Sequence, residues 1–234
     1  MPLLSIIIPV YNEAKTIQQI LEKIIALDID KEIIVVDDGS CDGTDKILRG
    51  MQREFLKIIH HSSNRGKGAA VLTGLSYAQG EFVITQDADL EYDPNDYLKL
   101  LEARKKNNVD IVLGARFMKG YKGLFMHKMG NRVLTYLVNI FFNRRLNDCF
   151  SCYKLVRASV MKSLGLQAKG FDIEIEIIAK ASKRKLRIDE TFISYHPRSY
   201  AEGKKIRCKD GFYAVFCIFK YGIRNIGREH ANKS

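Results

Sequence analysis

The sequence predicts an α/β fold, a mostly parallel sheet flanked by helices, and three observations carry that prediction. Short β-branched runs alternate with stretches of helical periodicity, the order in which right-handed crossovers build a parallel sheet. The runs are apolar nearly throughout, as strands covered on both faces must be. Several of them deliver polar and acidic residues together at their carboxyl ends, where open α/β sheets place ligands.

Leu3 to Val10 is a nearly continuous apolar run ended by Pro9 and reads as a central strand. Tyr11-Asn12-Glu13 forms the turn after it, and Ile17, Ile20, Leu21, Ile24 and Ile25 then repeat at helical spacing. A second strand, Glu32 to Val36, ends in Asp37-Asp38-Gly39-Ser40, so the first two loops should lie side by side. Asp42 or Thr44 can cap a helix carrying Ile47, Leu48 and Met51, before a third strand from Lys57 to His60. Asn64 to Ala70 is a glycine-rich basic turn that offers backbone N–H groups and Lys67 to an anion; an ordinary connection is the other reading. Phe82 to Thr85 leads into Gln86-Asp87-Ala88-Asp89-Leu90-Glu91. In extended backbone Asp87, Asp89 and Glu91 project to one side, and three hard oxygen ligands there could converge on one divalent cation. The competing reading is an acidic turn that caps the helix starting at Asp93-Pro94-Asn95-Asp96.

The second half is less regular. A helix from Pro94 to about Lys106 precedes the strand Asp110 to Gly114 and Ala115-Arg116-Phe117, and residues 117 to 127 suit a mobile loop over a site. Arg132 opens an apolar helix, and Asp148 precedes Ser151 to Lys154, which continues into a strand. Phe171 to Glu176 fits a strand or a helix, and Ala179 and Ala181 favour the helix. Lys183-Arg184-Lys185 reads as a solvated helix end, Leu186 to Tyr195 as a strand, and His196 to Asp210 as a basic anion-binding loop. No repeat or linker divides the chain, so one domain is expected.

With 234 residues and 46% hydrophobic content the chain can fill a sizeable core. A net charge of +11 favours phosphates, anionic headgroups or nucleic acid. Nucleic acid is not expected, because the basic residues belong to no recognisable module and the acidic cluster would repel a phosphate backbone. Five cysteines without a secretory signal suggest reduced thiols and a cytoplasmic location; Cys149-Phe150-Ser151-Cys152 lacks a second pair to complete a zinc site. No apolar stretch approaches the roughly 18 residues of a spanning helix. Phe212 to Phe219, surrounded by Lys209, Lys220, Arg224 and Arg228, suits a helix lying in a membrane interface or one docked on the core.

Ser5 to Glu13, Val35 to Ser40, Asn64 to Gly68 and Asp87 to Glu91, in that order, resemble glycosyltransferase family 2, most closely the dolichyl- or polyprenyl-phosphate mannose and glucose synthases. The resemblance spans residues 3 to about 114, and continues through Asp148 to Tyr153 and the Arg198 to Lys205 loop. It implies a GT-A fold, Rossmann-like, with a nucleotide-sugar-binding half at 1–115, an acceptor half at 116–208 and an amphipathic segment at 209–234. It implies a nucleotide-sugar donor of the GDP-mannose or UDP-glucose type and Mg²⁺ or Mn²⁺ as cofactor. Pro9, Tyr11, Glu13, Asp37, Asp38, Lys67 and Asp87 match the donor contacts, and Asp87, Asp89 and Glu91 the metal ligands, although relatives often carry Gln at the position of Glu91. Arg116, Arg132 and Arg198, with Lys205, match residues that hold a lipid phosphate.

These implications predict single displacement with inversion, with Asp89, Asp148 and Arg116 as the catalytic set. A polyprenyl phosphate acceptor needs no strong base, being largely dianionic at neutral pH. An alcohol acceptor on a glycan, protein or small molecule would need one, with Asp148 the first candidate and Asp172 the second. The chain has no Trp and hence no Gln-x-x-Arg-Trp signature of processive synthases. The transmembrane tail of many relatives is not in this sequence, so attachment by surface contacts at the cytoplasmic face of a membrane is expected.

Overall fold

A computed structural model of the chain describes residues 1–51, 53–117, 125–198 and 208–229. β1 (Leu4–Val10), α1 (Ile17–Ile25), β2 (Lys31–Asp37), α2 (Thr44–Arg49), β3 (Leu56–His60), α3 (Lys67–Tyr77) and β4 (Phe82–Thr85) form the regular first half. α4 (Asp96–Asn107), β5 (Ile111–Ala115), α5 (Phe125–Phe142), β6 (Lys154–Arg157), α6 (Ala158–Ser163), α7 (Ile173–Lys183), β7 (Ile188–Phe192) and α8 (Cys208–Glu229) follow. The seven strands form one sheet in the order β3-β2-β1-β4-β6-β5-β7.

β1 is central and pairs in parallel with β2 and with β4, so the loops leaving all three open on the same edge. β6 alone runs antiparallel, between β4 and β5. Periodicity cannot reveal that inversion, because a strand buried on both faces has the same pattern in either direction.

Alternation along β1 divides the core. Ile6 and Ile8 face α1, α2 and α4, where Ile17, Ile20, Leu21, Ile24, Leu48, Tyr97 and Leu100 are buried. Ile7 faces the other way, toward α3, α5, α6, α7 and α8. Gly74 makes that second layer close: a Cβ there would lie 2.4 Å from Ile7 Cγ2. The helix expected after Phe171 is α7. α5 begins at Phe125, seven residues before Arg132. α8 docks against α5 and α7 through buried Cys217 and Ile218, with Phe219 edge-on to Phe141 at 4.8 Å between centroids. The choice between a docked and an interfacial helix is thereby resolved on one side only, because Phe212, Tyr213 and Phe216 on α8 remain exposed.

Candidate active site

The loops after β1 and β2 lie side by side, as their order requires. Asn12 accepts the N–H of Cys41 at 2.8 Å and donates its own N–H to Ser40 Oγ at 2.9 Å, while Glu13 N–H donates to Thr44 Oγ1 at 3.0 Å. Pro9 is partly buried near the end of β1, and Tyr11 is exposed at the mouth of the loop.

Asp37 and Asp38 are both buried and both committed. Asp37 accepts the Ser40 N–H and meets His60 Nδ1 at 3.0 Å. Asp38 accepts the N–H groups of Arg65 and Gly66, the latter at 2.7 Å, and lies 2.6 Å from His61 Nδ1, whose Nε2 meets Thr73. The turn expected to offer free N–H groups to an anion therefore gives two of them to Asp38, and that of Ala69 to Lys169 O. In exchange the turn is rigid, with Gly66 at φ +94° and α3 starting at the next residue.

That start positions Lys67. Its Nζ lies 2.7 Å from Asp87 Oδ1 and 3.3 Å from Glu174 Oε1, and Glu174 also pairs with Lys154. Burial works against the Lys67 charge, but Asp87 and Glu174 outweigh it and hold its pKa well above the ordinary value. Gln86, fully buried, accepts hydrogen bonds from Tyr97 and Tyr153 at 2.5 Å each and donates to the Asp87 carbonyl, fixing the backbone at the acidic cluster. Gln86, Glu174 and Lys154 were not among the expected site residues. Glu174 and Lys154 are unremarkable in a sequence, and only a distant fold contact gives them a role.

The three acids do not share one side. Residues 88 and 89 form a turn and Leu90 adopts φ +63°, so the alternation of an extended strand does not apply. Asp89 Oδ1 accepts the Glu91 N–H, and its Oδ2 lies 3.2 Å from Arg198 Nη2. Glu91 turns to the chain after β7: Oε1 accepts the Arg198 N–H and Oε2 the Tyr195 hydroxyl, both at 2.8 Å. Among the described residues no three His, Cys, Asp or Glu side chains are grouped to hold a metal. Both Glu91 oxygens are thus engaged by the chain after β7, whereas the extended-strand expectation had Asp87, Asp89 and Glu91 projecting to one side. Burial, then the nearby Asp87 and Glu91 charges, raise the Asp89 pKa to about 7 despite Arg198.

Arg116, just past β5, donates from Nε and Nη2 to the two oxygens of Asp148 at 2.7 and 2.9 Å, and its own N–H also meets Asp148. Asp148 has no exposed surface. Breaking such a pair from one side costs on the order of 3–5 kcal/mol, since a buried charge is left alone. The Arg116 guanidinium also lies over the Tyr195 ring at 5.1 Å. Asp172 is buried beside α7, bonded to Gly170 N–H and Tyr221. Arg132 is exposed on α5, and Lys205 and the loop at 118–124 lie outside the described residues, as do the side chains of Lys209, Arg224 and Arg228. Cys149 and Cys152 are buried free thiols, and burial pushes Cys149 up to about 12, so neither is a thiolate at neutral pH.

A mostly parallel sheet with acids at the carboxyl ends of β2 and β4 defines the GT-A class of fold. Residues 5–165 match the sequence profile of glycosyl transferase family 2, and the chain belongs to that family. It is 31% identical over 212 residues to a dolichol-phosphate mannosyltransferase of Pyrococcus furiosus, covering 86% of this chain and 60% of that protein. It is 29% identical over 209 residues to a dodecaprenyl-phosphate galacturonate synthase of Rhizobium johnstonii, covering 86% and 61%. The chain thus spans about three fifths of the length of these curated relatives. Among solved structures, glucosyl-3-phosphoglycerate synthase of Mycobacterium tuberculosis, in complex with Mn²⁺, UDP and phosphoglyceric acid, superposes with a TM-score of 0.73. That likeness covers 94% of this chain and 78% of the other at 17% identity, which establishes the shared fold.

Proposed function

We propose that this chain transfers a hexose, with inversion, from a nucleotide sugar of the GDP-mannose or UDP-glucose type to a polyprenyl or dolichyl phosphate. The observation that carries the reading is the pairing of opposed charges at one sheet edge, Asp87 with Lys67 and Asp89 with Arg198, beside the loops of β1 and β2. The names of the relatives, which act on dolichol and dodecaprenyl phosphates, supply the acceptor class.

The donor set fits a divalent cation. Asp89 is desolvated and crowded by two other carboxylates, so it is short of positive charge, and its oxygens and those of Asp87 are the hard ligands Mg²⁺ or Mn²⁺ prefers. Held by these two residues, such a cation supplies charge neutralisation to the departing diphosphate. Lys67 keeps Asp87 in place, and the frame that Asp37, Asp38 and the two histidines make of the neighbouring loops shapes the nucleoside end, with Pro9 and Tyr11 at its edge. Arg116 and Arg198 serve the acceptor phosphate, where a dianion must approach another anion and guanidinium charge offsets the repulsion. Arg132, exposed on α5, and Lys205 are assigned to the same phosphate by the family resemblance alone.

Asp148 acts through Arg116, as a positioning residue. An alcohol acceptor would need a free base, and a carboxylate that already accepts three N–H groups from Arg116 offers none. Access to a lipid phosphate is supported by two exposed apolar rows: Met129, Val133, Tyr136 and Ile140 on α5, and Phe212, Phe216 and Phe219 on α8, helices that pack together. No helix among the described residues is long and apolar enough to cross a membrane, and attachment by these rows at its cytoplasmic face completes the proposal.

The test is a panel of UDP- and GDP-sugars with Mg²⁺ or Mn²⁺ and a short polyprenyl phosphate, read by mass spectrometry of the lipid product. Asp89→Asn is expected to stay folded and lose turnover by a factor of roughly 100 or more. Transfer to sugar or alcohol acceptors with none to the prenyl phosphate would refute the acceptor class.

A further inference from the structure

We infer that Arg198 is an internal counter-ion that holds the cation end of the site closed, and that a divalent cation reaching Asp89 releases it toward the acceptor phosphate. The inference rests on the reading of Asp89 as a cation ligand. It goes beyond that reading by making donor and acceptor sites share one side chain.

The buried Arg116 and the partly buried Arg198 differ in how they are held. Arg116 is locked, with parallel N–H bonds of 2.7 and 2.9 Å onto the two oxygens of one carboxylate. Arg198 instead spans two acids at longer range: Nη1 to Glu13 Oε2 at 3.2 Å, Nη2 to Glu13 Oε1 at 3.4 Å, and Nη2 to Asp89 Oδ2 at 3.2 Å. Its Nε is buried and without a partner among the described residues. Long, divided contacts and an orphaned donor describe a guanidinium that is held but not fully satisfied. A phosphate oxygen could reach that donor when the side chain swings, whereas Arg116 has no such capacity left on its Nε.

The backbone permits the swing. Arg198 N–H is fastened to Glu91 Oε1, Tyr195 hydroxyl to Glu91 Oε2, and His196 N–H to the Glu91 carbonyl. Glu91 is therefore a positioning residue that keeps the chain at 195–198 in place while the side chain changes partner. Asp89 Oδ2 cannot serve the guanidinium and a divalent cation together without bringing two positive charges into contact, so loading one favours loss of the other. By linkage the effect is reciprocal: cation and acceptor phosphate should strengthen each other's binding.

The experiment uses the whole chain and Mn²⁺, with free Mn²⁺ read by electron paramagnetic resonance and no sugar nucleotide present. Arg198→Gln is expected to tighten Mn²⁺ binding about tenfold over the wild type, and Arg198→Lys by less, because it keeps the charge without the two-acid span. Circular dichroism establishes that each variant is folded. Titration with geranyl phosphate should show tighter binding in the presence of Mn²⁺ for the wild type and no such gain for Arg198→Gln. Unchanged or weaker Mn²⁺ binding in both variants overturns the counter-ion, while the metal reading survives if Asp89→Asn abolishes that binding. Mn²⁺ binding that is absent from every form, even with UDP or GDP added, or that Asp89→Asn leaves intact, overturns the metal reading and the counter-ion with it. A Mn²⁺-dependent gain for geranyl phosphate that persists in Arg198→Gln overturns the hand-over.

Discussion

At the scale of single residues the site is a set of charges that need partners. Asp89 is the clearest case, since burial and two neighbouring carboxylates raise its pKa to about 7 while the unfolded chain ionises near the usual carboxylate value. Between those two values the folded state binds more protons than the unfolded one, so this group lowers the stability of the cation-free protein as pH rises from about 4 to 7. The loss is then fully present above pH 7. Asp89→Asn should remove it: urea unfolding without metal is expected to show the variant gaining on the wild type across that window. The gain is at most about 4 kcal/mol, since each unit of pKa is worth about 1.4 kcal/mol. A wild type that matches the variant at every pH would contradict this account. That Asp89 belongs to an acidic cluster at a strand end is legible from its place after an apolar run. Its counter-charge is not, because Arg198 stands far along the chain and many other basic residues are equally available there.

At the scale of elements, the start of α3 decides where Lys67 points. A Cβ on Gly68 would sit 2.3 Å from the Ala168 carbonyl oxygen and 2.8 Å from its carbon, so glycine lets α3 lie directly against the chain before α7. Gly68→Ala is expected to cost about 1–3 kcal/mol in urea unfolding, the range for overpacking. It should also weaken binding of a nucleotide sugar, because the backbone that carries Lys67 must move. Alanine tolerated with neither effect would show that the contact has room to give. A glycine-rich basic turn was readable here, but its purpose was not. Sequence suggested N–H groups presented to an anion, whereas Asp38 takes those of Arg65 and Gly66. The same limit applies to β6, whose apolar pattern is indifferent to direction. It applies again to the Asp87 to Glu91 stretch, where Leu90 leaves the extended region and both Glu91 oxygens bond to the chain after β7.

At the scale of the molecule, one sheet edge collects the charges while α5 and α8 present aromatic and aliphatic side chains outward. With a net charge of +11, the proposed membrane attachment would combine electrostatic attraction to anionic lipid with burial of this apolar area. A variant carrying Tyr136→Ser, Phe212→Ser and Phe216→Ser should lose binding to vesicles containing anionic lipid by more than tenfold in a sedimentation assay, since each aromatic side chain contributes about 1.5–3 kcal/mol when buried. Full binding by that variant, reversed by salt, would assign attachment to charge and not to these rows. Strand runs, helical spacing and acids at strand ends are local properties, so the sequence by itself determined the α/β sheet and the edge at which the acids Asp87 and Asp89 emerge. Which cation faces which acid, the service of Asp148 to Arg116 and the withdrawal of Glu91 to the chain after β7 were decided only by tertiary structure. Those pairings join residues that share no periodicity, and the energy of a charge pair depends on distance and burial, which exist only once the chain has folded.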